Sequence, residues 1–100
     1  MTYLVRIRPL AQRDIRRAFS WYERQRSGLG TDLVNELDAV YERLAKNPYA
    51  YQKVLSGVRR AILRRFPYAV FYLIVEEEVR VLCVMDMSRD PEFWRRRADN

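Results

Sequence analysis

The residues in this sequence most able to do chemistry are arginines. Of the 19 basic residues, 17 are arginine, whose planar guanidinium forms paired hydrogen bonds with phosphate or carboxylate groups. Four of them surround a short apolar run, at Arg59, Arg60, Arg64 and Arg65. This spacing predicts a basic surface suited to an acidic partner. A GC-rich genome, which encodes arginine where others encode lysine, would give the same excess without a function, so only clustering separates the two explanations.

Histidine is absent and cysteine occurs once. The missing histidine removes the commonest general base, any histidine-based zinc site and any Ser-His or Cys-His nucleophile pair. Cys83 lies alone in an apolar run, which excludes an internal disulfide and a paired-cysteine metal site and favours a reducing cytoplasm. We expect no cofactor and no bound metal.

Length and charge limit what the chain can be. One hundred residues, 49% of them hydrophobic, predict a single domain over residues 1–100 with one core and no deep substrate pocket. The net charge of +6 is concentrated in residues 1–30 and 51–75. No run reaches the roughly 18 apolar residues of a membrane span, and residues 1–10 carry two arginines where a signal peptide would be apolar. We therefore expect a soluble cytoplasmic protein that does not enter a membrane.

Two periodicities predict the elements that position the arginines. Residues 3–8 alternate between apolar and polar side chains, which indicates a half-buried strand. From Leu10 the apolar residues take helical spacing, interrupted at 27–30 by a turn with two glycines and resumed until Asn47–Pro48. We expect Thr31 or Asp32 to cap the second helix. The two helices should form an antiparallel hairpin with facing apolar stripes.

The second half of the sequence predicts a sheet. Three strand-like runs, at 58–65, 68–75 and 79–87, follow one another through short connections, which favours antiparallel pairing. Asp90–Pro91 then begins a short C-terminal helix that ends in arginines. The predicted fold class is α+β: an N-terminal strand, an antiparallel two-helix hairpin packed on an antiparallel sheet of about four strands, and a short C-terminal helix.

Five groups of residues stand in a fixed order along nearly the whole chain. They are Ala18–Glu23, Gly28–Gly30, Pro48 with Tyr51, Arg59–Arg60 leading into Arg65–Tyr68 with Tyr72, and Ser88–Pro91 with Trp94 and Arg97. In their joint spacing they resemble the RelE/ParE superfamily of type II toxins. The chain is more similar to the ParE-like members than to the RelE-like members.

The resemblance implies a toxin that is neutralised by a small cognate antitoxin encoded beside it. We expect that antitoxin to carry a ribbon-helix-helix DNA-binding part and an acidic tail, so that operator DNA is reached only through the antitoxin. The antitoxin-binding residues expected on this basis are Trp21, Tyr22, Arg59, Arg60, Arg64 and Arg65. The two aromatic residues would equally suit the core of the hairpin.

The superfamily contains two activities, and the chain departs from one of them. RelE-like members cleave mRNA in the ribosomal A site, which requires a base near the ribose 2′-OH and cations near the phosphate. The candidate cations are Arg59, Arg60, Arg65 and Arg89. Many relatives have a histidine three residues before the last of these arginines, where this chain has Asp86. A neighbouring arginine lowers the pKa of a carboxyl, so this position is unsuited to accept a proton at neutral pH.

We therefore expect no catalytic residue and favour the ParE-like activity, in which the toxin binds and poisons DNA gyrase. The residues expected to bind the target are Arg89, Trp94, Arg95, Arg96 and Arg97. A ribosome-dependent mRNA endoribonuclease that uses the arginine cluster is the alternative. A third possibility is a DNA-binding repressor subunit, bound to the antitoxin, whose main role is regulation and not poisoning.

Overall fold

The computed structural model describes residues 2–99, without the side chain of Asp99. In this range the chain forms β1 (Leu4–Ile7), α1 (Pro9–Gln25), α2 (Leu29–Lys46), a 3-10 turn (Pro48–Ala50), β2 (Gln52–Lys53), β3 (Arg59–Ile62), β4 (Tyr68–Val75), β5 (Glu78–Asp86) and α3 (Glu92–Asp99). The predicted α+β fold with a helical hairpin and a short C-terminal helix is confirmed. The strand predicted over 58–65 is shorter, since it ends at Ile62.

The strands form one sheet in the order β1-β5-β4-β3-β2. The pairs from β2 to β5 are antiparallel, whereas β1 lies parallel to β5, with Val5 opposite Val79. The predicted antiparallel meander is therefore present with a parallel strand added at one edge. The two-residue strand β2, which borders the other edge, is too short to give a sequence pattern.

The helical hairpin covers one side of the sheet, called here the hairpin face. Helix α2 buries Leu33, Leu37, Val40 and Leu44 at helical spacing, and they join the core that contains Val70, Tyr72 and Val81 of the sheet. Helix α1 contributes the small side chains of Ala11 and Ala18. These helix residues and the sheet residues belong to one cluster, so the hairpin and the sheet share one core.

The turn between the helices is capped by a residue that the sequence did not reveal. Helix α2 begins at Leu29, after Gly28 in the left-handed conformation at φ 92°, and no side chain at that position caps it. Instead the carboxylate of Glu23 in α1 accepts hydrogen bonds from the amides of Gly28 (3.0 Å) and Gly30 (2.8 Å). The prediction of a cap at Thr31 or Asp32 was wrong, because the helix starts before both residues.

The opposite side of the sheet, called here the tail face, is partly covered by α3. Trp94 is 5% exposed and stacks on Phe71 of β4, with ring centroids 5.5 Å apart. The register of β4 against β5 shifts so that Phe71 faces Cys83 and Tyr72 faces Val81, which leaves Leu82 as a bulge. Leu82 and Cys83 therefore both pack on the tail face.

Candidate functional site

Strand β3 divides the predicted arginine cluster between the two faces of the sheet. Arg59 lies opposite Tyr72, which belongs to the core of the hairpin face, and Arg60 lies opposite Phe71 on the tail face. Arg64 and Arg65 follow the end of the strand, in the turn before β4. Residues adjacent in a strand point to opposite sides, so the four arginines do not form one surface.

Arg59 stabilises the 3-10 turn (Pro48–Ala50) that precedes β2. Its Nη1 donates to the backbone oxygens of Tyr49 (3.2 Å) and Tyr51 (2.7 Å), and its guanidinium lies 5.2 Å from the centre of the Tyr49 ring. The buried hydroxyl of Tyr72 donates to the carbonyl oxygen of Pro48 in the same turn, at 2.6 Å. These contacts give Arg59 a structural role.

Arg64 and Arg65 lie at the edge of the hairpin. The carboxylate of Glu36 in α2 accepts hydrogen bonds from both of their backbone amides, at 2.5 and 3.3 Å. The Arg65 guanidinium pairs with Asp32 at 3.3 Å and lies 5.8 Å from the centre of the Phe66 ring. Both arginine side chains are exposed, so this edge combines fixed backbone with accessible positive charge.

The aromatic pair on α1 is divided between the core and the surface. Tyr22 is half-buried and makes an edge-to-face contact with Phe66, with centroids 4.8 Å apart, while Trp21 is 49% exposed. Phe66 connects this pair to Arg65. Of the six residues expected to bind the antitoxin, the structure therefore brings together Trp21, Tyr22, Arg64 and Arg65, and places Arg59 and Arg60 elsewhere.

Arg60, Asp86 and Arg89 meet at a cavity of about 350 Å³ on the tail face. The Arg60 Nη2 donates to Gln52 at 2.9 Å, and its buried Nε has no acceptor among the described residues. Arg89 places its guanidinium 5.0 Å from the centre of the Phe93 ring. Of the residues named for a nuclease, these three share a site, while Arg59 and Arg65 lie outside it.

The pKa values of Asp86 and of Tyr68, its neighbour outside this cavity, are shifted away from the neutral range. The Asp86 carboxylate accepts hydrogen bonds from the amide and the hydroxyl of Ser88, both at 2.8 Å. These bonds, together with the charge of Arg89, lower the pKa of Asp86 below its usual range. Burial and the neighbouring Asp86 raise the pKa of Tyr68, which lies opposite Asp86 in the sheet. The carboxyl is therefore a weak base and the phenol a weak acid.

Cys83 supplies no nucleophile. It is buried, and burial raises the pKa of its thiol to about 12, so the thiol stays protonated and inaccessible. Within residues 2–99 the structure contains no group of acidic, cysteine or histidine side chains arranged to hold a metal ion.

The residues of the C-terminal segment have different roles. Trp94 is in the core, and Arg97 forms an ion pair with Asp14 of α1, with Nη2 and Oδ1 3.1 Å apart. Among residues 2–99, the exposed Arg95 and Arg96 form ion pairs only with Glu92, which also belongs to α3. Of the residues expected to bind the target, Arg89, Arg95 and Arg96 are accessible, whereas Trp94 and Arg97 position the helix.

Asp14 is a residue that sequence reasoning missed. Its carboxylate also accepts a hydrogen bond from the amide of Val84 at 3.1 Å, and Arg97 in turn donates to the carbonyl of Leu82. A hydrogen bond from Arg8 to the carbonyl of Arg97 (2.9 Å) completes the contact between α1, β5 and α3. The sequence signal that could have pointed to Asp14 is its position, as an acidic residue, between the arginines of α1.

A second cleft, of about 280 Å³, lies between α1 and the segment that leads into α3. The exposed rings of Trp21 and Phe93 line it, together with Arg17, Asp86 and Arg89. Since Asp86 and Arg89 line both cavities, the turn that carries them separates the two. The accessible chemistry of this part of the molecule is cationic and aromatic.

Solved structures share this arrangement of helices and strands. The chromosomal ParDE TA system from P. aeruginosa matches with a TM-score of 0.75 at 17% identity, covering 85% of this chain and 96% of that one. A mutant of the E. coli toxin RelE in the free state gives 0.74 at 15% identity, with coverages of 99% and 97%. The RelBE2 toxin-antitoxin complex from Mycobacterium tuberculosis gives 0.58 at 21%, with coverages of 86% and 99%. The chain therefore has the fold of the RelE/ParE toxins.

The family itself is shown by sequence. The model of the family described as the ParE toxin of type II toxin-antitoxin system, parDE, matches residues 5–91. The chain belongs to this family, and the resemblance to the RelE/ParE superfamily is confirmed. A comparison with curated proteins gave no match. None of the helices described within residues 2–99 has the length and apolar character needed to span a lipid bilayer.

Proposed function

We propose that this toxin arrests growth by binding and poisoning DNA gyrase. One observation carries the proposal: the cavity where Arg60, Asp86 and Arg89 meet offers positive charge without a group that exchanges protons near neutral pH. Cleavage of RNA through its 2′-OH needs such a group. A toxin that acts by binding needs only an accessible surface, which the chain provides.

The surface that would bind the target lies at the start of α3 and on its exposed side. Arg89 and Phe93 form a cation-π pair at the mouth of the cleft, and both side chains are exposed. Arg95 and Arg96 extend the positive charge along the helix. Arginine and aromatic side chains are the usual anchors of protein interfaces, so this cluster is our candidate for the contact with gyrase.

A supercoiling assay tests the proposal. Purified chain added to gyrase and relaxed plasmid should inhibit supercoiling and accumulate cleaved DNA, because a poison traps the cleavage complex. Replacing Arg89 and Arg96 with glutamine should weaken the inhibition. The matched control replaces Arg43 and Lys46, which are exposed on α2, and should inhibit like the wild type. Gyrase that remains fully active in excess chain would contradict the proposal.

We propose further that a cognate antitoxin binds the edge of the hairpin with an acidic segment. Arg64 is exposed, and its guanidinium has no ion-pair partner among residues 2–99, while Arg65 has a partly exposed partner in Asp32. The nearby Trp21 offers an exposed ring as an apolar anchor. Carboxylates of the antitoxin would form charge-assisted hydrogen bonds with both arginines.

Titration calorimetry with the antitoxin from the adjacent gene tests this surface. An Arg64→Glu/Arg65→Glu variant should bind at least tenfold more weakly, because truncated or reversed interface charges cost affinity. The control Lys46→Glu/Lys53→Glu reverses two exposed charges that do not line the depression shared by Arg64 and Arg65, and should bind like the wild type. Equal affinity for both variants would exclude the edge as the antitoxin site.

One observation favours the alternative, a ribosome-dependent endoribonuclease. The buried Nε of Arg60 lacks an acceptor and lies beside a cavity that Lys53 and Arg89 also line, which is the charge pattern that would hold a phosphate. The alternative predicts A-site cuts in mRNA on programmed ribosomes, and their loss in an Arg60→Gln variant. Absence of cuts with the wild-type chain excludes it.

A further inference from the structure

The outer side of α1 carries positive charge that the fold does not use. Its residues are called here the basic face of α1, and they are Arg13, Arg16, Arg17, Ser20, Trp21 and Arg24. All six are exposed and together line one shallow depression of about 460 Å³. The four arginines make no ion pair with any residue in the described part of the chain. The face is therefore a concentration of free guanidinium groups.

The acidic residues of α1 do not neutralise the positive charge of this face. The helix contains two, and both are engaged in holding the fold: Asp14 pairs with Arg97, and Glu23 caps the turn at Gly28 and Gly30. Neither neutralises a neighbouring arginine. Because like charges close together on a helix repel each other, this face costs stability in the isolated chain and gains most from an anionic partner.

We propose that the basic face of α1 binds the phosphate backbone of duplex DNA. The arginines at positions 13, 16, 17 and 24 extend along about 17 Å of helix at 1.5 Å per residue, which spans several successive phosphates of one strand. The major groove of B-form DNA admits an α-helix, and arginine is suited to bidentate contact with phosphate. The contact does not depend on base sequence, because phosphates carry no sequence information.

The composition of the face favours DNA over a protein or an RNA partner. Trp21 is its one exposed apolar side chain, whereas a protein interface needs an apolar core, and protein–DNA interfaces are polar and positively charged. Double-stranded RNA has a major groove too narrow for side chains to enter, and single strands are bound through several stacking aromatic rings. A single tryptophan does not make such a platform.

This inference goes beyond the proposed function and does not depend on gyrase being the target. It also departs from the expectation that the toxin meets DNA only through its antitoxin. A direct contact would let the toxin approach gyrase where the enzyme holds DNA. Since the readout is DNA binding by the chain itself, inhibition of gyrase without DNA binding would overturn this inference alone.

Fluorescence anisotropy with a labelled duplex of mixed sequence, measured over a salt series, tests the proposal. Four phosphate contacts predict that log Kobs falls with log salt at a slope of about −3.6. An Arg13→Gln/Arg16→Gln/Arg17→Gln variant should reduce the size of that slope by about 2.7 and weaken binding roughly 100-fold at low salt. The control Arg6→Gln/Arg43→Gln/Lys46→Gln loses the same charge from exposed positions on β1 and α2, and should keep most of the slope.

Two further measurements can refute the proposal. An Arg13→Lys/Arg16→Lys/Arg17→Lys variant retains the charge and should keep the slope within about one unit of the wild type. A smaller slope in the glutamine variant can then be assigned to lost charge and not to misfolding. A double-stranded RNA of the same sequence should bind more weakly than the DNA. The proposal is overturned if the glutamine and control variants behave alike, if the RNA binds as tightly as the DNA, or if a polyglutamate peptide binds this face and DNA does not.

Discussion

Replacing Arg97 with glutamine should loosen α3 and destabilise the whole domain. Arg97 joins the C-terminal helix to Asp14 of α1 and to the carbonyl of Leu82 in β5. The two charged side chains are only 19% and 14% exposed. The shorter side chain of glutamine would leave the Asp14 carboxylate with the Val84 amide alone.

The magnitude follows from the burial of this pair. Removing one partner of a fully buried ion pair costs about 3–5 kcal/mol, and a hydrogen bond to a charged group contributes about 1.5–3 kcal/mol. Because water reaches part of the pair, we expect a loss of about 2 kcal/mol. For a domain of this size that lowers Tm by roughly 8–16 °C.

The assay is thermal and denaturant unfolding of Arg97→Gln, Asp14→Asn and the double variant. The double-mutant cycle should give a coupling energy of about 1–2 kcal/mol, since the two residues form one network. The hydrogen bonds that Arg97 donates to Asp14 raise the pKa of Arg97. A group whose pKa is raised by folding stabilises the fold below its unfolded pKa, so this contribution should stay constant between about pH 6 and 9.

The matched control is Arg95→Gln, because Arg95 forms an exposed ion pair with Glu92 one turn away. Exposed pairs contribute little, so the control should stay within about 0.5 kcal/mol of the wild type. An Arg97→Gln variant as stable as this control would refute the assignment of Arg97 to the fold and would return it to the candidates for target binding.

Three other predictions address the core, the hairpin turn and the acid response. Tyr72→Phe should cost about 1–3 kcal/mol in urea unfolding, because it leaves the buried carbonyl of Pro48 without its donor; an unchanged midpoint would contradict this. Gly30→Ala should cost about 1–3 kcal/mol in the same assay despite its better helix propensity, since a Cβ there would lie 2.7 Å from a backbone oxygen of α1. Hydrogen bonds from Ser88 lower the pKa of Asp86, so its stabilisation is present above the usual carboxyl pKa and is lost as pH falls through the lowered value. Asp86→Asn should therefore unfold with less dependence on pH below about 4, and a parallel pH profile would show that these bonds do not form.

The elements of the fold were predictable where the pattern was local. The runs of apolar residues at 68–75 and 79–87 correspond to β4 and β5, and Gly28 separates the helices as expected, whereas Gly30 already lies in α2. The strand over 58–65 was predicted too long, because the amide of Leu63 bonds to the carbonyl of Tyr68 and closes the turn there. The parallel pairing of β1 with β5 joins residues more than 70 positions apart, which no local pattern reports.

The candidate site was only partly predictable for the same reason. Alternation along a strand already implies that Arg59 and Arg60 point to opposite sides of the sheet. Their closeness in the sequence nevertheless led to the prediction that they share one basic surface. Their separate partners, and the pairing of Asp14 with Arg97 across 83 positions, depend on tertiary structure. The meeting of Arg60, Asp86 and Arg89 at one cavity likewise required the register of three strands and the turn before α3.

The central claim is that this member of the ParE family acts by binding gyrase and not by cutting RNA. The most direct test is a single preparation of the chain, assayed in parallel for trapped cleavage of plasmid DNA by gyrase and for A-site cleavage on programmed ribosomes. We predict cleaved plasmid and intact mRNA, with the same gyrase result for Asp86→Asn because the carboxylate takes no part. Intact plasmid with cut mRNA, abolished in Arg60→Gln, would contradict the account.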